Sequence, residues 1–490
     1  MALEGIFFGS LIFNSLNFMI FFPIVVILYF ILPHRYRCFL LLLASIYFYM
    51  SFIPVYILIL GFTIIIDYFA GILIDSSEGK KRRIFLIASI LANVGVLAIF
   101  KYYNFFVQNL SSLLPSLGVE TNIPFLSILL PIGLSFHTFQ AMSYTIEVYR
   151  GNQKAERRFD IYALYVLFFP QLVAGPIERP QNLLPQFKLK HEFDYGRALD
   201  GLKLMLWGLF KKVVIADRLA ILVNVVYSDP SSYTGVPLIL ATFFFAIQIY
   251  CDFSGYTDIA IGAARVMGIR LMDNFRRPYY SKSIGEFWKR WHISLSSWFR
   301  DYMYISLGGN RVSVPKWYFN IFIVFLVSGL WHGAAWTFII WGALHGFYMI
   351  FGIISAPLRS KLKERVGLSK HKWLDNTLKI TLTFILVSFA WIFFRANNFS
   401  DAYYIVTHLF SNLTGSLGGA DLGLSYIELA IAVVSIAFME IVHLIQEHKG
   451  MRSFLSARPA WLRWLIYIIV ILFILLFGVF ETKQFIYFQF

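Results

Sequence analysis

Residues 317–358 read WYFNIFIVFLVSGLWHGAAWTFIIWGALHGFYMIFGIISAPL, a stretch without a single Asp, Glu, Lys or Arg. A helix needs about 20 apolar residues to cross a bilayer core of about 30 Å, so this stretch is long enough to cross twice. Lys316 and Arg359 bound it, and basic residues gather on the cytoplasmic side of a membrane protein. The stretch is therefore expected to run out and back, turning near Gly333. It holds two histidines, His332 in GLWHG and His345 in GALHG. Counted from Trp317 at roughly 1.5 Å per residue, His332 lies about 22 Å along its span. An ionisable side chain at such depth is a functional candidate; the alternative is a neutral histidine satisfied by an interhelical hydrogen bond. The flanking glycines favour function, because they admit a close backbone or ligand. Imidazole is also the side chain most readily poised as a general base near neutral pH. His345 is read first as a packing residue.

Outward from this hairpin the same character persists. Of 490 residues, 59% are apolar, 19% aromatic and only 14% charged, which leaves no composition for a large solvated domain. Further apolar runs are Leu16–Leu32, Tyr36–Phe52, Val55–Ile74, Ile84–Phe100, Phe125–Tyr149, Leu199–Tyr227 and Val236–Ile261. Thr377–Phe394, Tyr426–Ile445 and Trp464–Phe480 follow. Ile161–Gly175 and Ile284–Tyr304 carry Pro or charge and read as re-entrant or interfacial. The expected fold is an all-α polytopic membrane protein of about eleven or twelve membrane-spanning or re-entrant helices, forming a single domain over 1–490. No Lys or Arg precedes Arg35, so the first apolar run is expected to remain as a membrane helix rather than be removed as a signal peptide.

The net charge of +15 follows first from basic cytoplasmic loops, and second from a surface able to attract a phosphate-rich donor. Nucleic acid is not an expected partner, for want of a soluble basic module. The alternation of basic with Lys/Arg-poor loops places Lys81, Lys361 and Arg452 in the cytoplasm and the 398–424 loop outside, with both termini outside. Single-cysteine labelling from each side checks this; equal labelling of the Lys81 and Asn398 loops from one side would overturn it. Cys38 and Cys251 lie in apolar segments and read as packing residues, and no spacing suggests a metal site. No Walker A loop, H-E-x-x-H motif or G-x-S-x-G elbow is present. The intramembrane acids Asp67, Asp252 and Asp258 would suit a proton-coupled transporter, but no matched pair of broken halves supports one.

A second histidine lies in GEFWKRWHISL, residues 285–295. Read as one helix, Trp288, Trp291, His292, Leu295, Phe299 and Tyr302 share a face, while Lys289, Arg290, Ser296 and Arg300 fall largely on the other. The pattern fits an interfacial amphipathic helix with an incidental histidine. It fits equally an element that turns His292 into a protein-lined cavity.

In order and spacing, several blocks resemble the membrane-bound O-acyltransferase family, in particular its alginate O-acetylation branch. They are LIFNSLNFMIFFPIV at 11–25, PIGLSFHTFQAMSYTIEVYRG at 131–151 and FFPQLVAGPIERPQNLLPQF at 168–187. YCDFSGYTDIAIGAARVMGI at 250–269 and NFRRPYYSKSIGEFWKRWHISLSSWFRDYMYISLGGNR at 274–311 follow. GLWHGAAWTFIIWGALHG at 329–346 and FIYFQF at 485–490 complete the match. Residues 1–10 extend beyond the usual start, and His137 and Ser306 depart from residues common in the branch. The resemblance implies tilted helices around a thin centre with a central tunnel. It makes His332 the catalytic histidine and His292 the second family position. It implies acetyl-coenzyme A as donor from the cytoplasm, with Trp288, Lys289, Arg290 and Trp291 as candidate donor-binding residues and no metal or prosthetic group. It further implies a separate extracytoplasmic acetyltransferase partner that places acetyl on a polysaccharide. His332 would take the proton of an acceptor hydroxyl, and His292 would orient the thioester or donate to the developing oxyanion. The rivals are D-alanyl transfer to teichoic acid and a polysaccharide or lipid transporter.

Overall fold

The computed structural model describes residues 11–119, 123–127, 130–413, 422–448, 451–480 and 485–486. The 1–10 extension, the centre of the 398–424 loop and the last four residues of the terminal motif lie outside the described residues. Among those described, helices carry the fold and no strand occurs. Among the described residues, eight helices are long and apolar enough to cross a membrane: Pro54–Asp75, Gly79–Leu117, Val236–Val266, Val314–His332, Trp336–Ile354, Lys372–Arg395, Tyr426–Glu447 and Ala460–Phe477. Leu16–Ile31 is apolar but shorter. Their outer faces are themselves greasy: Trp461, Trp464, Ile468, Ile469, Leu472, Leu475 and Leu476 of the last span are all exposed. Such faces are stable only against lipid, and helices suit lipid because each satisfies its own backbone.

The chain divides into two compact units. The first comprises residues 1–205, 256–272 and 487–490. Asp67 is wholly buried there and is bonded, not free: it accepts from Ser89 Oγ at 2.6 Å and from Asn93 Nδ2 at 2.8 and 2.9 Å. His137, also buried, shares a hydrogen bond between its Nε2 and Thr63 Oγ1. Cys38 donates to the Phe187 carbonyl. Beyond the short helix Phe159–Leu167 the chain leaves regular structure, and residues Phe168–Gly175 are all buried. That is the protein-shielded irregular backbone which a segment at membrane depth requires.

The second unit comprises residues 206–255 and 273–486. The charge-free stretch forms the expected hairpin, Val314–His332 and Trp336–Ile354, with the turn at residues 333–335. Glycines explain how closely its arms pack. A Cβ on Gly329 would meet the Phe338 carbonyl at 2.3 Å, and one on Gly342 would meet the Phe325 carbonyl at 2.4 Å. Leu199–Tyr227 is interrupted by a π-helical segment, Phe210–Ala216, that presents Lys211 and Lys212 to the interior. Lys212 Nζ lies 2.9 Å from Asp217 Oδ1 and 2.6 Å from Asp252 Oδ1, and Asp252 Oδ2 accepts the Ile486 backbone N–H at 2.7 Å. Asp252 is thus one end of a buried ion network.

Candidate active site

His332 is the last residue of its helix, at the hairpin turn, and is buried. Its ring is caged by Trp331 at 4.9 Å between centroids, Trp341 at 5.0 Å and Phe394 at 5.3 Å. Trp341 comes from the second arm of the hairpin, and Phe394 from the Lys372–Arg395 span. A Cβ on Gly333 would fall 2.1 Å from the Phe338 ring, so the glycine lets the turn fold against the cage.

The segment around His292 is not the continuous helix that periodicity predicts. It breaks into Ile284–Arg290 and Ile293–Trp298, followed by a π-helical turn, Phe299–Tyr304. His292 stands at the break in the left-handed region, with φ 43° and ψ 55°. Such a backbone costs on the order of 1–3 kcal/mol in a non-glycine residue and persists only where the surroundings fix it. Asn274 does the fixing. Its carbonyl accepts the Ile293 N–H at 2.9 Å, and its Oδ1 accepts Ser294 N–H at 3.2 Å and Ser294 Oγ–H at 2.9 Å. His292 Nδ1 reaches the same Oδ1 at 3.1 Å. Because the Ser294 N–H fixes Oδ1 as an oxygen, which only accepts, Nδ1 is the donor and the lone pair of the neutral ring sits on Nε2. The ring is wholly buried, with Phe253 edge-on at 4.6 Å. Burial pushes its pKa down to about 3, so it is neutral across the physiological range.

The two histidines meet around one indole. His292 lies 6.4 Å from Trp331 between centroids, and Trp331 packs directly on His332. Near them, lined by neither histidine but by the adjoining Ile293 and Ser328, is a cavity of about 550 Å³ with a mainly apolar wall that includes Ile321, Val324, Phe325 and Met349. Ser328, one helical turn before His332, and Trp288 line it as well. Lys289 and Arg300 also line it, and both are exposed, with Arg300 Nε 2.7 Å from Asp301 Oδ1.

The four donor-side candidates separate. Trp288 and Lys289 line the cavity, whereas Arg290 pairs with Glu286 at 2.6 Å and Trp291 is buried among Phe275, Phe287 and Trp391. Of the neighbouring cations, Arg277 pairs with Glu447 at 2.8 Å. Sequence reading missed Asn274, since an amide eighteen residues before the histidine it holds carries no spacing signal. It also missed Arg300 as a cavity residue, because the expected helix face turned it away. No group of three or more His, Cys, Asp or Glu side chains among the described residues is arranged to hold a metal ion.

A bundle of helices with apolar outer faces and two histidines buried around a tryptophan, near a mainly apolar cavity, defines a multi-pass membrane protein with a candidate reaction site. Residues 158–396 match the family model of the membrane-bound O-acyltransferases. A probable alginate O-acetylase of Pseudomonas aeruginosa is 39% identical, over 87% of this chain and 81% of that protein. The peptidoglycan O-acetyltransferase of Helicobacter pylori is 36% identical, over 75% and 72% respectively. A teichoic acid D-alanyltransferase of Bacillus subtilis is 29% identical, over 55% and 69%. The chain belongs to the membrane-bound O-acyltransferase family. It is an acyltransferase of the bacterial inner membrane.

Proposed function

We propose that the enzyme takes acetyl from cytoplasmic acetyl-coenzyme A and passes it across the membrane for O-acetylation of an extracytoplasmic polysaccharide, completed by a separate extracytoplasmic acetyltransferase. The observation that carries this reading is the pair of buried histidines on Trp331 near a cavity whose wall is mainly apolar and whose exposed lining side chains include two cations. An acyl thioester with a polyanionic tail has that same polarity. In the reaction His332 takes the proton of an acceptor hydroxyl as its oxygen attacks the thioester carbonyl. The C–S bond breaks, the ester C–O bond forms, and the proton leaves with the thiolate. His292 fits orientation of the hydroxyl, through the lone pair on Nε2. Donation to an oxyanion would need a hydrogen there, which the Asn274 bond places on Nδ1 instead. Being neutral above about pH 3, His292 contributes no limb to the pH–rate profile near neutrality.

Solubilised enzyme supplied with acetyl-coenzyme A should release free thiol as it transfers acetyl. A requirement for an acyl-carrier protein would favour D-alanyl-type transfer instead, and absence of any acyl chemistry would favour transport. Replacing Lys289 and Arg300 together by Gln should raise the donor KM severalfold with little change in kcat, because contacts remote from the reacting carbon contribute uniform binding. An unchanged donor KM would remove these cations from the donor site.

A further inference from the structure

The other histidine of the hairpin has no part in the chemistry above. His345 lies on the second arm of the hairpin and is wholly buried. The Trp288 indole donates its Nε1–H to His345 Nδ1 at 3.3 Å. An indole only donates, so Nδ1 is the acceptor and the hydrogen of the neutral imidazole is on Nε2. That Nε2 has no hydrogen-bond partner among the described residues. An apolar ring would fill the same space without leaving a buried donor unmade, so packing alone does not account for a histidine here. The bond it does make joins two parts of the site. Trp288 lines the cavity and packs on Trp341 at 5.7 Å, and Trp341 touches both His345 and His332 at 5.0 Å.

We propose that His345 is a positioning residue for acyl transfer. Through Nδ1 it holds the Trp288 indole as the wall shared by the cavity and the His332 cage, so that the thioester is presented to His332 in one orientation. This rests on the reading that the acyl donor occupies the cavity. Released from Nδ1, the indole can turn about its side-chain bonds, and small misplacements of reacting groups cost large factors in rate.

Four variants test it: H345N, which keeps an acceptor oxygen near the place of Nδ1; H345Q, whose amide reaches the place of Nε2; H345L, which has neither; and W288F, which keeps a ring but loses the donor. Acetyl on the surface polymer is measured in cells, normalised to membrane-protein level, and kcat and KM are measured with acetyl-coenzyme A on solubilised enzyme. H345L and W288F should each lower kcat roughly 10–100-fold, with a smaller change in KM. The double variant H345L/W288F should be no worse than the poorer single one, because both remove the same bond. H345N should recover most of the rate and H345Q little. Equal loss in H345N, H345Q and H345L, or losses that multiply in the double variant, would overturn the proposal. If H345L does not accumulate, W288F and H345N still decide it. Should wild-type enzyme ignore acetyl-coenzyme A while the same non-additivity appears in cells, the donor reading fails and the role of His345 stands. Should wild-type enzyme turn over acetyl-coenzyme A and H345L match it, the role of His345 fails and the donor reading stands.

Discussion

Replacing His332 by Gln is expected to lower acetyl transfer roughly 10²–10⁴-fold, the usual cost of losing a general base. Gln preserves polarity and approximate size, and the cage of Trp331, Trp341 and Phe394 that surrounds the ring should accept it without collapse. Membrane level and thermal stability should therefore stay close to wild type while polymer acetylation disappears. H332A should be equally inactive and less stable, because it also empties a packed site. H292N should impair activity by a smaller factor if residue 292 orients rather than abstracts, and Asn tolerates the left-handed backbone that position requires. The measurement is acetyl on the surface polymer per unit of enzyme in the membrane. Wild-type acetylation by a well-folded H332Q enzyme would remove His332 from the mechanism.

The largest expected effect on stability lies at Lys212. Its ammonium sits between Asp217 and Asp252, and all three side chains are nearly inaccessible. Removing one partner from a buried ion pair typically costs about 3–5 kcal/mol, because the charge left behind has lost its counter-ion without regaining solvent. K212M strands two carboxylates, so it should lower the thermal midpoint sharply and reduce the amount of enzyme in the membrane. Neutralising all three members, in K212M/D217N/D252N, should restore much of the loss, since a buried pair exchanged whole for neutral groups is often close to neutral in energy. A K212M enzyme as stable as wild type would show that the network carries no such weight. The same geometry answers the transporter reading at this position: Asp252 is committed to Lys212 and to the Ile486 N–H.

Much of this was legible in the sequence, and the division has a physical basis. The hairpin was legible because lipid imposes a length and forbids charge, and both show in residues 317–358 without reference to any other part of the chain. Arg290 was read as a donor-binding cation, yet it pairs with Glu286 four residues before it, a partner that local helix geometry brings within reach. The shape of the His292 segment was not legible. Periodicity promised one helix, but the break is imposed by Asn274, eighteen residues earlier, whose carbonyl and side chain capture Ile293, Ser294 and His292 together. The glycines around His332 were read correctly as places of close approach, but what approaches is the facing arm of the hairpin. Trp291 shared the expected face with Trp288 yet is core, because the break rotates the two residues into different surroundings.

Gly329 and Gly342 also face each other, a Cβ on either falling 3.1 Å from the other's Cα, and this contact has a mechanical consequence. Where two backbones touch with no side chain between them, no rotamer change can widen the crossing, and the two arms behave there as one stiff body. His332 at the turn and Trp341 on the return arm are then held in fixed register, like two teeth of one comb. Any breathing that admits a thioester or releases a thiol must be supplied by parts hinged against that body. The short helix Ile284–Arg290, whose Trp288 indole is bonded to His345 on the return arm, is tied to that body and is not one of those parts.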